Sequence, residues 1–446
     1  MGVISLLEGT TKAQAAWADV LGVRREEIEQ LIASKILRPG HRDNLELTFV
    51  GIVVFRNSLL FAGPKFDVVG RFSMGETIRV LRDYFSRSGS RRPVVDKLKD
   101  PEYGDSEVLR EYDALQRLQA WFNDHGVFRR EQSLTSNRGR PHWVKTVAKC
   151  SPVLIQGSAI YPTVIADRRE GVLNDISALQ VGALRKLLQR YGMPDPGCSI
   201  EHAEQATGSI VESWPIPEDQ RTYFERRLAI EQRSIYRTDT LQLFKLLREL
   251  LNTRMAGANP QPQIYGTTAF YSVWEDACRT AMGVDREMEL VVPLGQPVWW
   301  AYGEGGKIAY EHRQIPDIVL VREQWHVIAD AKYFYPFPAS RPGWPDIVKQ
   351  LYYAESLRVP KAQVRSIFLL PLPGHENPTF LGYSTVEDAD RDFAVIEAWG
   401  LDPIAVFSAY PQVSTGSANG LIDRILGQGG QRVAEFISQA PANVGR

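Results

Sequence analysis

Residues 314–321 and 324–331 are two runs rich in β-branched and aromatic side chains, joined by only a few polar residues. So short a link commits them to an antiparallel hairpin. With the turn centred on Glu323 and Gln324, opposed residues share one sum of numbers, which sets Asp317 against Asp330. Because side chains alternate along a strand, Asp330 and Lys332 project from one face, and Ala331 points into the other, where only a small residue fits.

Two adjacent carboxylates repel unless a cation neutralises them. Hard oxygen ligands suit Mg²⁺ or Mn²⁺, which keep waters and grip phosphate oxygens. Such a metal polarises a phosphodiester and generates hydroxide from bound water. Lys332 would orient that water or stabilise charge developing on the phosphorus oxygens. The plainer reading is that Pro316-Asp317 opens an ordinary strand and that Asp330 and Lys332 form a surface ion pair.

Context favours the chemistry. Residues 267–282 carry Phe270, Val273, Trp274, Ala277 and Ala281 at helical spacing, with Glu275 at the edge of the apolar face. Glu275 is then either an additional metal ligand or a solvated Glu beside Asp276. Residues 345–357 read as a helix with Pro345 in its first turn and Asp346 behind it. Asp346, Lys349, Gln350 and Tyr353 share one face. Gln350 is placed to bridge to a metal-bound water or the DNA backbone, and Tyr353 to pack beside the site or simply in the core.

Glu275, Pro316-Asp317, Asp330-Ala331-Lys332 and Gln350 together resemble the PD-(D/E)XK nuclease superfamily. Within it the chain is similar to LlaJI-type restriction endonucleases and, more distantly, to McrC nuclease subunits. Two further segments carry that likeness: residues 49–65, which end in Pro64-Lys65, and residues 138–147, which contain Trp143, Lys145 and Thr146. Some relatives space Gln-x-x-x-Tyr so that a Tyr would stand at position 354, where this chain has Ala354 after Tyr353. The resemblance implies an α/β fold whose C-terminal part is a PD-(D/E)XK restriction-endonuclease-like mixed sheet flanked by helices. It also implies cleavage of double-stranded DNA in a bacterial restriction or antiviral defence system, with a McrB-like AAA+ NTPase on a separate chain.

A length of 446 residues is enough for two or three domains. The net charge of −1 means that DNA contact must come from local patches. Cys150, Cys198 and Cys278 are too dispersed for a disulfide framework or a Cys-based zinc site, as in a reducing cytoplasm. No apolar run approaches the roughly 18 residues of a membrane helix, and the N-terminus lacks a signal peptide. A cytoplasmic protein with no membrane contact is expected. Residues 303–307 are a poor phosphate loop, since Ile308 replaces the Ser or Thr and the glycine spacing is wrong. They read as a hairpin turn, so any NTPase motor is a separate protein.

The expected organisation has three parts. Residues 1–45 form a helix-turn-helix or winged-helix-like module, its two helices joined at Leu21-Gly22-Val23. Glu26, Glu27 and Glu29 beside Arg24 and Arg25 match phosphate poorly, which favours packing or partner binding. Residues 46–230 form a mixed α/β DNA- or partner-binding region: a hairpin within 46–67, then helices over 70–85 and 105–124. Val108, Leu109, Tyr112, Leu115, Leu118 and Phe122 make a core stripe on the second helix. Arg138, Arg140 and Lys145 around Trp143, together with Lys349, are candidate DNA contacts, though a solvated loop explains the basic segment equally well. Residues 231–446 form the nuclease domain, which opens with an amphipathic helix over 240–251. Its sheet is drawn from 287–293, 297–302, the hairpin and 363–370.

The reading is a Mg²⁺- or Mn²⁺-dependent restriction endodeoxyribonuclease, type II-like or McrBC-like. Asp317, Asp330 and Glu275 hold metal, Lys332 is the charge-stabilising cation, and Gln350 supports. A homodimer or larger complex is expected where both strands are cut. The alternative is a non-catalytic adaptor that binds DNA or activates a motor on a nuclease-like scaffold.

Overall fold

The computed structural model describes residues 2–55, 58–88, 101–104, 107–136, 140–194, 198–208, 210–253, 261–283, 298–300, 307–309, 316–322, 324–357, 360, 363–386, 394–409 and 420–428. The chain opens with β1 (Gly2–Leu7), β2 (Thr11–Ala13), α1 (Gln14–Leu21), α2 (Arg25–Ala33), β3 (Leu37–Pro39) and β4 (Asn44–Leu47). Gly22, at φ 62°, ends α1 in the left-handed conformation. The Glu27 carboxylate accepts the Arg24 N–H at 2.9 Å and starts α2. The antiparallel sheet β2-β4-β3 lies beside the two helices. Trp17, Leu21, Ile28, Leu31 and Leu47 are buried between them, and the Trp17 indole donates to the Leu45 carbonyl at 3.0 Å. The core of these two helices and their small sheet continues into Phe49, Val53 and Leu60 of the following hairpin.

Next come β5 (Val50–Val54), β6 (Ser58–Gly63), α3 (Met74–Ser88), β7 (Glu102–Tyr103), α4 (Glu107–His125), β8 (Arg130–Ser136), β9 (Arg140–Pro141), α5 (Trp143–Lys149), β10 (Val153–Ile155), β11 (Ser158–Ile160) and β12 (Ala166–Val172). Then follow α6 (Asp175–Arg190), α7 (Cys198–Thr207), α8 (Glu218–Gln232), α9 (Thr238–Asn252) and β13 (Gln263–Thr267). The first large sheet has the order β1-β6-β5-β13-β7. Gly51 and Gly266 pair across it. A Cβ on Gly51 would fall 2.2 Å from the Tyr265 carbonyl oxygen, so the strands close there only because both side chains are absent. Val108, Tyr112, Leu115, Leu118 and Phe122 of α4 are buried, as the stripe requires. α9 packs on α4 and α8, and β13 pairs with β5, so elements on both sides of residue 231 build one helical layer and one sheet.

After α10 (Phe270–Ala281) come β14 (Val298–Trp300), β15 (Lys307–Ala309), β16 (Ile318–Arg322), β17 (Trp325–Ala331), α11 (Trp344–Ser356), β18 (Val364–Pro371), β19 (Thr379–Ser384), β20 (Ile396–Leu401) and α12 (Pro403–Ser408). The second large sheet has the order β16-β17-β18-β20-β19. β17, β18 and β20 run parallel, while β16 and β19 are antiparallel at the edges. The central β18 and β20 are buried almost throughout, as strands covered on both faces must be. Val327, Ala329 and Ala331 face the large core that includes α10, whereas Ile328 packs with Tyr353 of α11 and Leu357 just after it. The molecule is thus a mixed α/β structure with helices on its sheets. One expectation is corrected: β14 pairs with β15 as a separate hairpin instead of joining the second sheet. The expected strand over 287–293 lies outside the described residues. No helix among the described residues is long and apolar enough to cross a membrane.

Candidate active site

Ile318 pairs with Ala329 and Arg322 with Trp325, the register that a turn at Glu323 and Gln324 requires. It carries Asp317, just ahead of β16, to the end of β17. There the Asp317 carboxylate accepts the Ala331 N–H at 2.9 Å, and its backbone carbonyl accepts the Arg279 Nε–H at 2.8 Å. Arg279 stands one turn beyond Glu275 on α10, so one helix supplies both a clamp on the Pro316-Asp317 segment and a carboxylate beside it.

Asp330 is 1 % exposed. Its Oδ2 lies 2.8 Å from the Lys332 ammonium and its Oδ1 3.8 Å from that of Lys349. Neither oxygen has a well-directed hydrogen bond among the described residues. Lys332 Nζ is also 2.9 Å from Asp346, in the first turn of α11. Burial works against the Lys332 charge, but Asp330 and Asp346 outweigh it and hold the ammonium above its usual range. Lys349 behaves alike: burial opposes its charge and Asp330 more than restores it. Its ammonium lies 5.4 Å from the Tyr353 ring centroid.

Burial, then the negative charge of Glu275, then that of Asp330 push the Asp317 carboxyl well above the ordinary carboxylate range. Direct contact between the two aspartates reinforces the shift. Cys278, buried beneath them, has its thiol pushed up by burial and by Asp317 and Glu275, which leaves it an inert core residue. Among the described residues no group of three or more His, Cys, Asp or Glu is drawn together as a ready metal cluster. The Asp317–Asp330 pair is the carboxylate centre, and Glu275 acts on it through charge.

A family model described as LlaJI restriction endonuclease matches residues 49–402. The chain belongs to that family. The matched stretch takes in both large sheets apart from β1, and every candidate site residue. This LlaJI family member is 23 % identical over 417 residues to the Type II restriction enzyme BsuMI component YdjA of Bacillus subtilis (strain 168), covering 88 % of this chain and 86 % of that protein. Among solved structures, it is similar to a chain of the refined half-complex of Thermococcus gammatolerans McrB AAA+ hexamers with bound McrC. That likeness has a TM-score of 0.35 at 14 % identity, over 95 % of this chain and 100 % of the other. A chain of the Thermococcus gammatolerans McrBC complex gives a TM-score of 0.25 at 15 % identity, over 61 % and 84 %.

The other sequence candidates of the LlaJI family member divide by place. Gln350 is fully buried, and its amide donates to the carbonyls of Ile328 at 3.0 Å and Ile367 at 3.4 Å. Through that nitrogen it latches α11 to β17 and β18, while its amide oxygen is buried without a hydrogen-bond partner among the described residues. Tyr353 is likewise fully buried, in the small core under α11. Lys349, expected at the DNA, stands in the carboxylate site itself. Lys145 is exposed on α5, and Arg140 lies on β9, in a separate small sheet. Arg138 lies outside the described residues. Two contributors escaped sequence reasoning. Asp346 was visible on the α11 face, but only the fold sets it against Lys332, and Arg279 was legible only as the residue four after Glu275.

Proposed function

We propose that this chain is a divalent-metal-dependent DNA endonuclease, the nuclease component of a restriction system. One observation carries the reading: a buried carboxylate, Asp330, and a partly buried one, Asp317, meet beside two ammoniums where β16 begins and β17 ends. A scaffold gains nothing from burying like charges together, since each raises the cost of ionising the other. The donor set suits a hard cation. It offers oxygens only, Asp330 has no well-directed hydrogen bond among the described residues, and burial, Glu275 and Asp330 push the Asp317 carboxyl up, as a site awaiting a cation would. Asp317 and Asp330 would hold Mg²⁺ or Mn²⁺, with Glu275 completing the negative field.

A bound Mg²⁺ or Mn²⁺ supplies Lewis acidity toward the phosphate and a more acidic water. The chain's own groups do the rest. Lys332 is held as an ammonium between Asp330 and Asp346, so it acts by donating hydrogen bonds and positive charge to the scissile phosphate or its attacking water, not by removing a proton. Lys349 adds a second positive charge near the other Asp330 oxygen. The Ala331 N–H and Arg279 fix Asp317 from both ends, which keeps the carboxylate from turning away.

The Bacillus subtilis relative is described as a component of its enzyme. That supports a partner subunit for this chain as well. We assign that partner the motor role of a McrB-like NTPase, and double-stranded DNA the role of substrate. Calorimetric titration of the full chain with Mg²⁺ and with Mn²⁺ tests the reading. Binding that disappears in Asp317→Asn is the expected result, and absence of binding with continued stimulation of a partner NTPase would favour a non-catalytic adaptor.

A further inference from the structure

Tyr333 follows Lys332 directly and points the other way, into the core that joins the two large sheets. It is 7 % exposed and packs edge-on against Phe66, with ring centroids 6.0 Å apart, and at a tilt against Phe270 at 5.5 Å. Its hydroxyl has a polar setting. It donates to the Glu8 carboxylate at 2.8 Å and accepts the Lys65 N–H at 3.1 Å, while the Lys65 ammonium sits 4.3 Å from the ring centroid. Glu8 and Lys65 follow the ends of β1 and β6, and the Glu8 N–H donates to the Gly63 carbonyl at 2.8 Å, so the two strand ends form one clasp. On the catalytic side, the Lys332 N–H donates to the Leu369 carbonyl at 2.9 Å and extends the pairing of β17 with β18. Tyr333 is therefore held by the first sheet while its neighbour is held by the second.

Core packing alone does not call for this arrangement. A Phe would fill the same space without drawing a partly buried carboxylate against it. Burial pushes the Glu8 carboxyl up and the Lys65 ammonium down, in spite of their mutual attraction. Polar sets of this cost stabilise one geometry more than they stabilise the fold.

Resting on the nuclease reading, we infer that Tyr333 is a positioning residue: Glu8 and Lys65 fix its hydroxyl and ring, and thereby hold the Lys332 ammonium at Asp330. The state of the N-terminal strands is then felt at the phosphate.

The test is steady-state cleavage of supercoiled plasmid by the full chain in Mg²⁺, with a co-encoded NTPase and ATP or GTP present, DNA affinity and thermal melts measured alongside, and Asp330→Ala as the inactive reference. Tyr333→Phe and Glu8→Ala should each lower kcat between about tenfold and a hundredfold with KM and DNA affinity unchanged, the scale of a small misplacement of a reacting group. Glu8→Gln, whose amide oxygen still accepts the phenol proton, should restore most of the rate. The Tyr333→Phe/Glu8→Ala double variant should be no slower than either single one, because both remove one contact. Full-rate single variants, losses that multiply, or a change in KM in place of kcat would overturn the positioning role. Should Tyr333→Phe fail to fold, Glu8→Ala against Glu8→Gln carries the comparison. A wild-type chain that cuts no better than Asp330→Ala would overturn the nuclease reading, and this role with it.

Discussion

The Lys332 ammonium lies 2.9 Å from the Asp346 carboxylate, so α11 fixes the cation that β17 supplies. Asp330 and Asp346 hold Lys332 charged against its own burial. For a raised pKa the sign is definite. The stabilisation is complete below the ordinary lysine value of 10.5 and is lost as pH rises through the folded value. Asp346→Asn should draw that alkaline loss to lower pH in urea melts run from neutral to strongly alkaline. At neutral pH it should cost no more than about 1–2 kcal/mol, since both groups keep some solvent contact. Its cleavage rate should fall about tenfold as the ammonium loses one of its two anchors.

Asp317 gives a prediction of opposite character. Its folded pKa is raised by burial, Glu275 and Asp330. This contribution is intact below the ordinary carboxylate value of 3.8 and is lost as pH rises toward the folded value. Asp317→Asn should therefore be more stable than the wild type at pH 8 without metal, and it should not cleave. A lower melting temperature than the wild type in EDTA would contradict this electrostatic account.

Arg279 donates to the Asp317 carbonyl from the helix that carries Glu275. Replacing it with Met removes a charge-assisted hydrogen bond of about 1.5–3 kcal/mol. The expected outcome is a folded protein with slower single-turnover cleavage and little change in DNA affinity, checked by rapid-quench and anisotropy measurements.

Gln350→Leu separates latch from catalyst. Loss of the amide leaves the Ile328 and Ile367 carbonyls without that donor, a cost of about 1–3 kcal/mol. Chemical denaturation should show that loss. Cleavage per folded molecule at low temperature should stay close to wild type, which a direct substrate contact would not allow.

The hairpin and its register were legible because a short link and strict alternation leave few choices, and those two constraints suffice to set Asp317 opposite Asp330. The helix of Glu275 was legible by its apolar spacing, and that of Gln350 by Pro345 and Asp346 in its first turn. The helix expected over 70–85 begins only at Met74, because the Asp67 carboxylate accepts the N–H groups of Arg71 at 2.7 Å and Phe72 at 3.0 Å and holds a turn ahead of it. β19 and β20 escaped notice, since their place beside β18 depends on pairing between distant segments. Gln350 shows the same limit on a smaller scale: helical spacing puts it on the site-facing side but cannot tell whether its amide meets water or two sheet carbonyls. Glu8 and Tyr333, 325 residues apart, meet only through the fold.

The central claim is that Asp317, Asp330 and Lys332 cut phosphodiester bonds together. The most direct measurement is conversion of supercoiled plasmid by the wild type, Asp330→Ala and Lys332→Ala in Mg²⁺, with and without ATP or GTP and a co-encoded NTPase. Nicking or linearisation by the wild type that EDTA abolishes, reduced at least about a thousandfold in both variants while DNA binding persists, is the expected result. Cleavage by Asp330→Ala at the wild-type rate would contradict the account.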